Sequence, residues 1–99
     1  MITHIVAWQV KAEDAAGGAA AVAALKGALE PLVDVIPGLR DLTVYANAVD
    51  IEGNSDAVLV SHFDNADDLR TYIAHPAHQA AVEVVRANTV GRAAIDFEA

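Results

Sequence analysis

The chain has 99 residues, a formal net charge of −8 and a pI near 4.6, with only six Lys and Arg, all scattered. This makes one domain, 1–99, and excludes nucleic acid and anionic membranes as partners, since both need basic patches. There is no cysteine, which excludes disulfides, a thiolate nucleophile and a Cys-type zinc site.

Hydrophobic residues make up 55 %, more than a small globule easily hides, so a homo-oligomer is expected, although alanine supplies much of the excess. Met1-Ile2-Thr3-His4 lacks the basic opening of a secretory leader. No apolar run approaches the roughly 18 residues of a membrane span, so a cytoplasmic location is expected.

Ile2–Val10 reads as a strand, with Ile2, His4, Val6, Trp8 and Val10 on one face and Ile5 and Ala7 making the other partly apolar. Such a strand fits a sheet covered by helices on one side and by another subunit on the other. His4 is either a core histidine with a satisfied nitrogen or the polar end of a pocket that Val6 and Trp8 also line. Asp14 can cap a helix running to about Leu32, striped by Val22, Leu25, Leu29 and Leu32, with Lys26 and Glu30 on its polar side. Gly17 and Gly18 each cost about 1 kcal/mol inside a helix, which favours a start after them. They lack the frame and the lysine of a phosphate loop.

Val35-Ile36-Pro37-Gly38 is a turn signal. Leu39–Asn47 follows as a strand, with Leu39, Asp41, Thr43 and Tyr45 on one face and Leu42 and Val44 on the other. Val49–Asp56 is a polar loop. Its Asp50, Glu52 and Asp56 miss the EF-hand spacing and read as solvated charges. Ala57–Phe63, apolar on both faces, reads as a central strand, with His62 structural or solvent-facing. Asn65-Ala66-Asp67-Asp68 resembles a capping box with Asp68 in place of Glu. Val90–Glu98 closes the chain as a strand on which Arg92 and Asp96 could pair.

The chemistry concentrates in Leu69-Arg70-Thr71-Tyr72-Ile73-Ala74-His75-Pro76-Ala77-His78-Gln79. Leu69, Tyr72 and Ile73 give the first helix an apolar face. Pro76 disfavours the α conformation at His75, so one helix ends near Ala74 and a second, Pro76–Ala87, begins with Ala81, Val82 and Val85 facing inward. His78 falls in the first turn of the second helix, where the dipole lowers an imidazole pKa and leaves a base near pH 7. On one straight helix Tyr72 and His78 would point about 120° apart, so they share a pocket only if the joint turns them together. The alternative is structural: a histidine capping a helix end and a core tyrosine. A metal at His75 and His78 lacks a carboxylate partner.

The order strand, helix, strand, strand, helix pair, strand is the α+β ferredoxin-like βαββαβ arrangement, a four-stranded antiparallel sheet with helices on one face. With both parities of the first and third strands apolar, two such sheets placed face to face make a dimeric α/β barrel.

The opening Met1–Val6, the Val35–Leu39 turn, the Phe63-Asp64…Asp68-Leu69…Tyr72 run and above all His75-Pro76-Ala77-His78 resemble the Dabb family, the stress-responsive dimeric α/β barrel domain, over essentially the whole chain. The resemblance implies a homodimer of ferredoxin-like protomers, each with a small cavity between sheet and helices. Most bacterial members have no assigned activity. The family's plant polyketide cyclases work without a cofactor, using a Tyr and a His from the segment that here holds Tyr72 and His78, and His4 matches a strand histidine of theirs. They carry a further polar pocket residue near the third strand, where this chain has Ala57. One expectation is therefore a homodimeric binding module for a small hydrophobic or carbonyl ligand. The other is a cofactor-free cyclase or lyase in which His78 takes a proton, Tyr72 positions a carbonyl oxygen, and His4, Val6, Trp8 and His75 contact the substrate. A cofactor-free monooxygenase rests on fold analogy alone.

Overall fold

In a computed structural model covering residues 1–99, the alternating apolar stretches form an antiparallel sheet and the helical stripes cover one of its faces. The elements are β1 (Ile2–Val10), α1 (Ala15–Leu29) running into a 3₁₀ turn (Glu30–Asp34), β2 (Leu39–Ala46), β3 (Ala57–Phe63), α2 (Ala66–Ala74), α3 (Pro76–Asn88) and β4 (Thr89–Glu98). The strand order is β2-β3-β1-β4, so the chain is a ferredoxin-like βαββαβ protomer with its second helix broken in two. The strands apolar on both faces, β1 and β3, take the middle.

The core lies between sheet and helices. Val6 and Trp8 of β1, Val44 of β2 and Leu59 and Phe63 of β3 meet Leu25 and Leu29 of α1, Leu69 and Tyr72 of α2 and Ala81 and Val85 of α3. Each large side chain buried this way contributes about 1.5–3 kcal/mol.

Several local expectations need correction. Helix α1 begins at Ala15 and includes both glycines, because the Asp14 carboxylate accepts from the Gly17 N–H at 2.7 Å and fixes the start. Its α-helical part ends at Leu29, short of Leu32, because Pro31 has no N–H to donate to the preceding turn. Leu39 joins Leu42 and Val44 on the buried face, since a bulge at Arg40 shifts the register between Leu39 and Asp41. Ile73 turns outward and is 47 % exposed, leaving Leu69 and Tyr72 as the buried side of α2. Val82 is only half-buried, while Ala81 and Val85 point in. Asp56 is no free loop charge: its Oδ2 accepts from the Val10 N–H at 2.8 Å and ties the loop to β1.

Lys26 and Glu30 pair at 2.7 Å and do more than decorate α1. Glu30 accepts from the Val44 N–H at 3.0 Å, and Lys26 donates to the Val44 carbonyl at 3.1 Å. The hydrogen bonds from Lys26 and then from Val44 lower the Glu30 pKa. The stretch Ala15–Asp34 is long and apolar enough to cross a membrane by length and composition alone. Here its Ala21, Leu25, Leu29 and Leu32 stripe is buried against the sheet.

The opposite face of the sheet carries no helix. Cross-strand register aligns Tyr45, Val58, Ala7 and Ala93 in one row and Thr43, Val60, Ile5 and Ile95 in the next. Of these, Tyr45 and Ile95 are more than half exposed.

Two glycines test the local backbone in opposite directions. Gly38 has φ +90°, and an added Cβ would meet the Asp68 side chain at 2.9 Å. Gly18 lies in α1 with nothing within 4 Å of that position. Gly38→Ala should destabilise by about 1–3 kcal/mol and Gly18→Ala should stabilise by about 0.5–1 kcal/mol in urea unfolding.

Candidate active site

The site is made by the break between α2 and α3. Pro76 forces His75 into extended backbone, with φ −66° and ψ 136°. The His75 N–H still donates to the Tyr72 carbonyl at 3.1 Å, closing α2. The His75 Nδ1 accepts from the Ala77 N–H at 3.0 Å, opening α3. The turn between them swings His78 back over Tyr72. Their ring centroids are 4.4 Å apart with 49° between planes. Tyr72 in turn packs on Phe63 at 5.2 Å and edge-on to His4 at 6.3 Å.

The His4, Tyr72 and His78 rings face a cavity of about 510 Å³ between sheet and helices. His4, Val6 and Trp8 of β1 form its floor, with Tyr72 and His78 at one side, and Leu29, Leu59, Val82 and Val85 supply apolar walls. Of the six residues singled out in the sequence, five thus line one space. His75 does not, and its expected contact with substrate is corrected: its ring is engaged as a helix cap. No group of three His, Cys, Asp or Glu side chains is arranged to hold a metal ion.

The two cavity histidines are held by different partners. The His4 Nδ1–H donates to the Asp96 carboxylate of β4, directly across the sheet register. Asp96 is therefore engaged by His4 and not by Arg92, the partner expected from sequence. His78 donates its Nδ1–H to the Ile73 carbonyl at 3.1 Å, which leaves Nε2 with the free lone pair. Burial lowers the His78 pKa below its ordinary 6.5, against the opposing pull of the Ile73 bond, and the charges of His4 and Arg92 lower it further. Burial raises the Tyr72 phenol well above its usual range, so it stays protonated and acts as a donor. The arrangement can offer a neutral base and a hydroxyl donor to one bound atom group.

Asp96, Phe63, Arg86 and Arg92 belong to the cavity or its support and were not assigned to it from sequence. Strand parity puts Arg92 and Asp96 on one face, but only the β1–β4 register sets Asp96 opposite His4 and Arg92 opposite Trp8.

A ferredoxin-like sheet with a walled cavity beneath it defines a class of small α/β barrel domains. Within it, the chain belongs to the stress-responsive A/B barrel domain family, Dabb, whose profile matches residues 2–99. Among solved structures it is similar to a dimeric protein of unknown function and ferredoxin-like fold from Bacteroides fragilis. The two share 28 % identity over 98 % of this chain and 94 % of that one, with a TM-score of 0.85. An Arabidopsis thaliana protein matches at 20 % identity over 100 % and 95 % of the chains, TM-score 0.84. The hydroxynitrile lyase of Passiflora edulis matches at 13 % identity over 97 % and 90 %, TM-score 0.75. The last two show shared fold. No curated protein matches the chain.

The His78 environment makes a pH prediction. In the unfolded chain its pKa returns toward 6.5, so below that value the unfolded state binds the proton more readily. Stability from this residue is present above pH 6.5 and lost as pH falls through the lower folded value. Titration of the imidazole proton signals by NMR should place the His78 midpoint below 6.5, and His78→Gln should remove that part of the acid destabilisation.

Proposed function

We propose that the protein is a homodimer whose cavity carries out cofactor-free proton transfer on a small carbonyl compound, as in a lyase or cyclase. One observation carries the reading: the Tyr72 and His78 rings lie tilted together, centroids 4.4 Å apart, on one cavity, where burial favours the neutral imidazole and the protonated phenol. The His78 Nε2 removes a proton from the carbon beside the carbonyl. The Tyr72 hydroxyl donates to the oxygen as negative charge develops there. His4, anchored by Asp96, orients the ring cluster. That the fold also serves a hydroxynitrile lyase is compatible with this reading and is an analogy of fold.

The dimer reading rests on the bare sheet face and on the dimeric Bacteroides relative. An apolar face of this extent is unfavourable in water and is satisfied by a second copy. Val60 sits at its middle. Analytical ultracentrifugation should give twice the 10.3 kDa chain mass for the wild type and the single chain mass for Val60→Asp.

The chemistry is tested by α-proton exchange of methyl 8-oxododecanoate in D₂O, followed by NMR. The wild type should exchange faster than buffer. His78→Ala should slow the enzymatic rate by about 10²–10⁴-fold, and Tyr72→Phe by about 10²–10³-fold. Binding of the ketone without any acceleration would leave a binding module and no enzyme.

A further inference from the structure

The cavity has a second pole that proton transfer does not use. Trp8 lies four residues from His4 on β1, about 13 Å along the strand, and pairs in register with Arg92 of β4. Both line the cavity, as does Arg86 of α3. The chain has only six basic residues against fourteen acidic ones, yet two of its arginines stand at this one space. Arg86 is partly neutralised by Glu83 at 3.3 Å. None of the seven ion pairs includes Arg92. The carboxylate that shares its strand face, Asp96, is held by His4. Beside it, the Trp8 indole is 3 % exposed, and its Nε1–H is the one buried side-chain polar atom with no hydrogen-bond partner. An unpaired guanidinium and an unsatisfied N–H, carried by cross-strand partners that line the same cavity, form a set of donors with no acceptor.

We propose that the cavity takes an anionic ligand: a small carbonyl compound whose carboxylate is held by Arg92, with the Trp8 indole N–H beside it, while its carbonyl lies between Tyr72 and His78. This names the substrate class for the site and rests on the carbonyl reading above. The two poles set the ligand's shape. A carboxylate at Arg92 and a carbonyl at Tyr72 are joined by an apolar chain passing Val6 and Val85. The guanidinium offers paired donors that match a carboxylate's two oxygens. Neutral esters and ketones of the same length lose that pairing and leave the donors unmet. At long range the net charge of −8 repels an anion, so selection for the anion acts inside the cavity and weakens with salt only as far as solvent reaches Arg92.

Isothermal titration calorimetry with 8-oxododecanoate, whose long spacer lets carboxylate and ketone reach the two poles together, and with its methyl ester tests the assignment. The wild type should bind the acid about tenfold more tightly than the ester. Arg92→Gln should bring the acid down to the ester's affinity and leave the ester's affinity unchanged, and Arg92→Lys should keep part of the preference. Circular dichroism checks that both variants fold, which the exposed position of Arg92 favours. Equal affinity of acid and ester in the wild type would overturn the inference while sparing the carbonyl site. So would an Arg92→Gln variant that keeps the preference, or one that weakens both ligands alike. If neither compound binds, the carbonyl reading itself fails and the anionic ligand fails with it.

Discussion

The two-residue joint His75-Pro76 is the constraint on which the site depends. A proline nitrogen without a hydrogen and a ring that pushes the preceding residue out of the helix region end α2 one residue early. Uninterrupted, the helix would send Tyr72 and His78 to different sides. Broken there, it returns the second ring onto the first. His75 makes the break inexpensive, because its backbone closes one helix and its ring opens the next. His75, expected from the sequence to contact substrate, is thus the hinge pin of the site, and the Tyr72–His78 pair stands on either side of it.

The cavity handles charge by position. The chain as a whole is strongly acidic, but the groups around the cavity are two imidazoles, a protonated phenol and two arginines. His4 meets a carboxylate and His78 meets a peptide carbonyl. The carbonyl fixes the His78 tautomer without supplying a full negative charge, and burial there favours the neutral ring. Two histidines of the same ordinary acidity are thereby given different tasks by what their Nδ1 atoms touch.

The fold was legible because it follows from patterns that survive without a partner structure. Apolar parity on both faces of Ile2–Val10 and Ala57–Phe63 places those strands in the middle, and the proline at 76 divides the second helix. What escaped was set by pairing in space. Arg40 bulges and moves Leu39 to the buried face, a shift that period-2 counting cannot anticipate. Asp14 holds two glycines in a helix that propensity alone would start later. Asp96 chose His4 over Arg92 because antiparallel register, not spacing along one strand, decides which side chains are neighbours. The same register hid the arginine end of the cavity, whose residues lie on β4 and α3 without a motif to mark them.

The grip of α1 on Val44 has a consequence for how sheets of this kind meet. Strand β2 is one border of the sheet and β4 the other. At the centre of the β2 border the free N–H and carbonyl of Val44 are already taken by Glu30 and Lys26. An incoming strand there would have to break both bonds and strand two charges. Linear stacking of sheets into a fibril needs two receptive borders on every copy, one to accept and one to extend. A β2 border gripped at Val44 is a poorer receptor for a second strand, so the lysine–glutamate pair on a helix surface also guards a sheet edge.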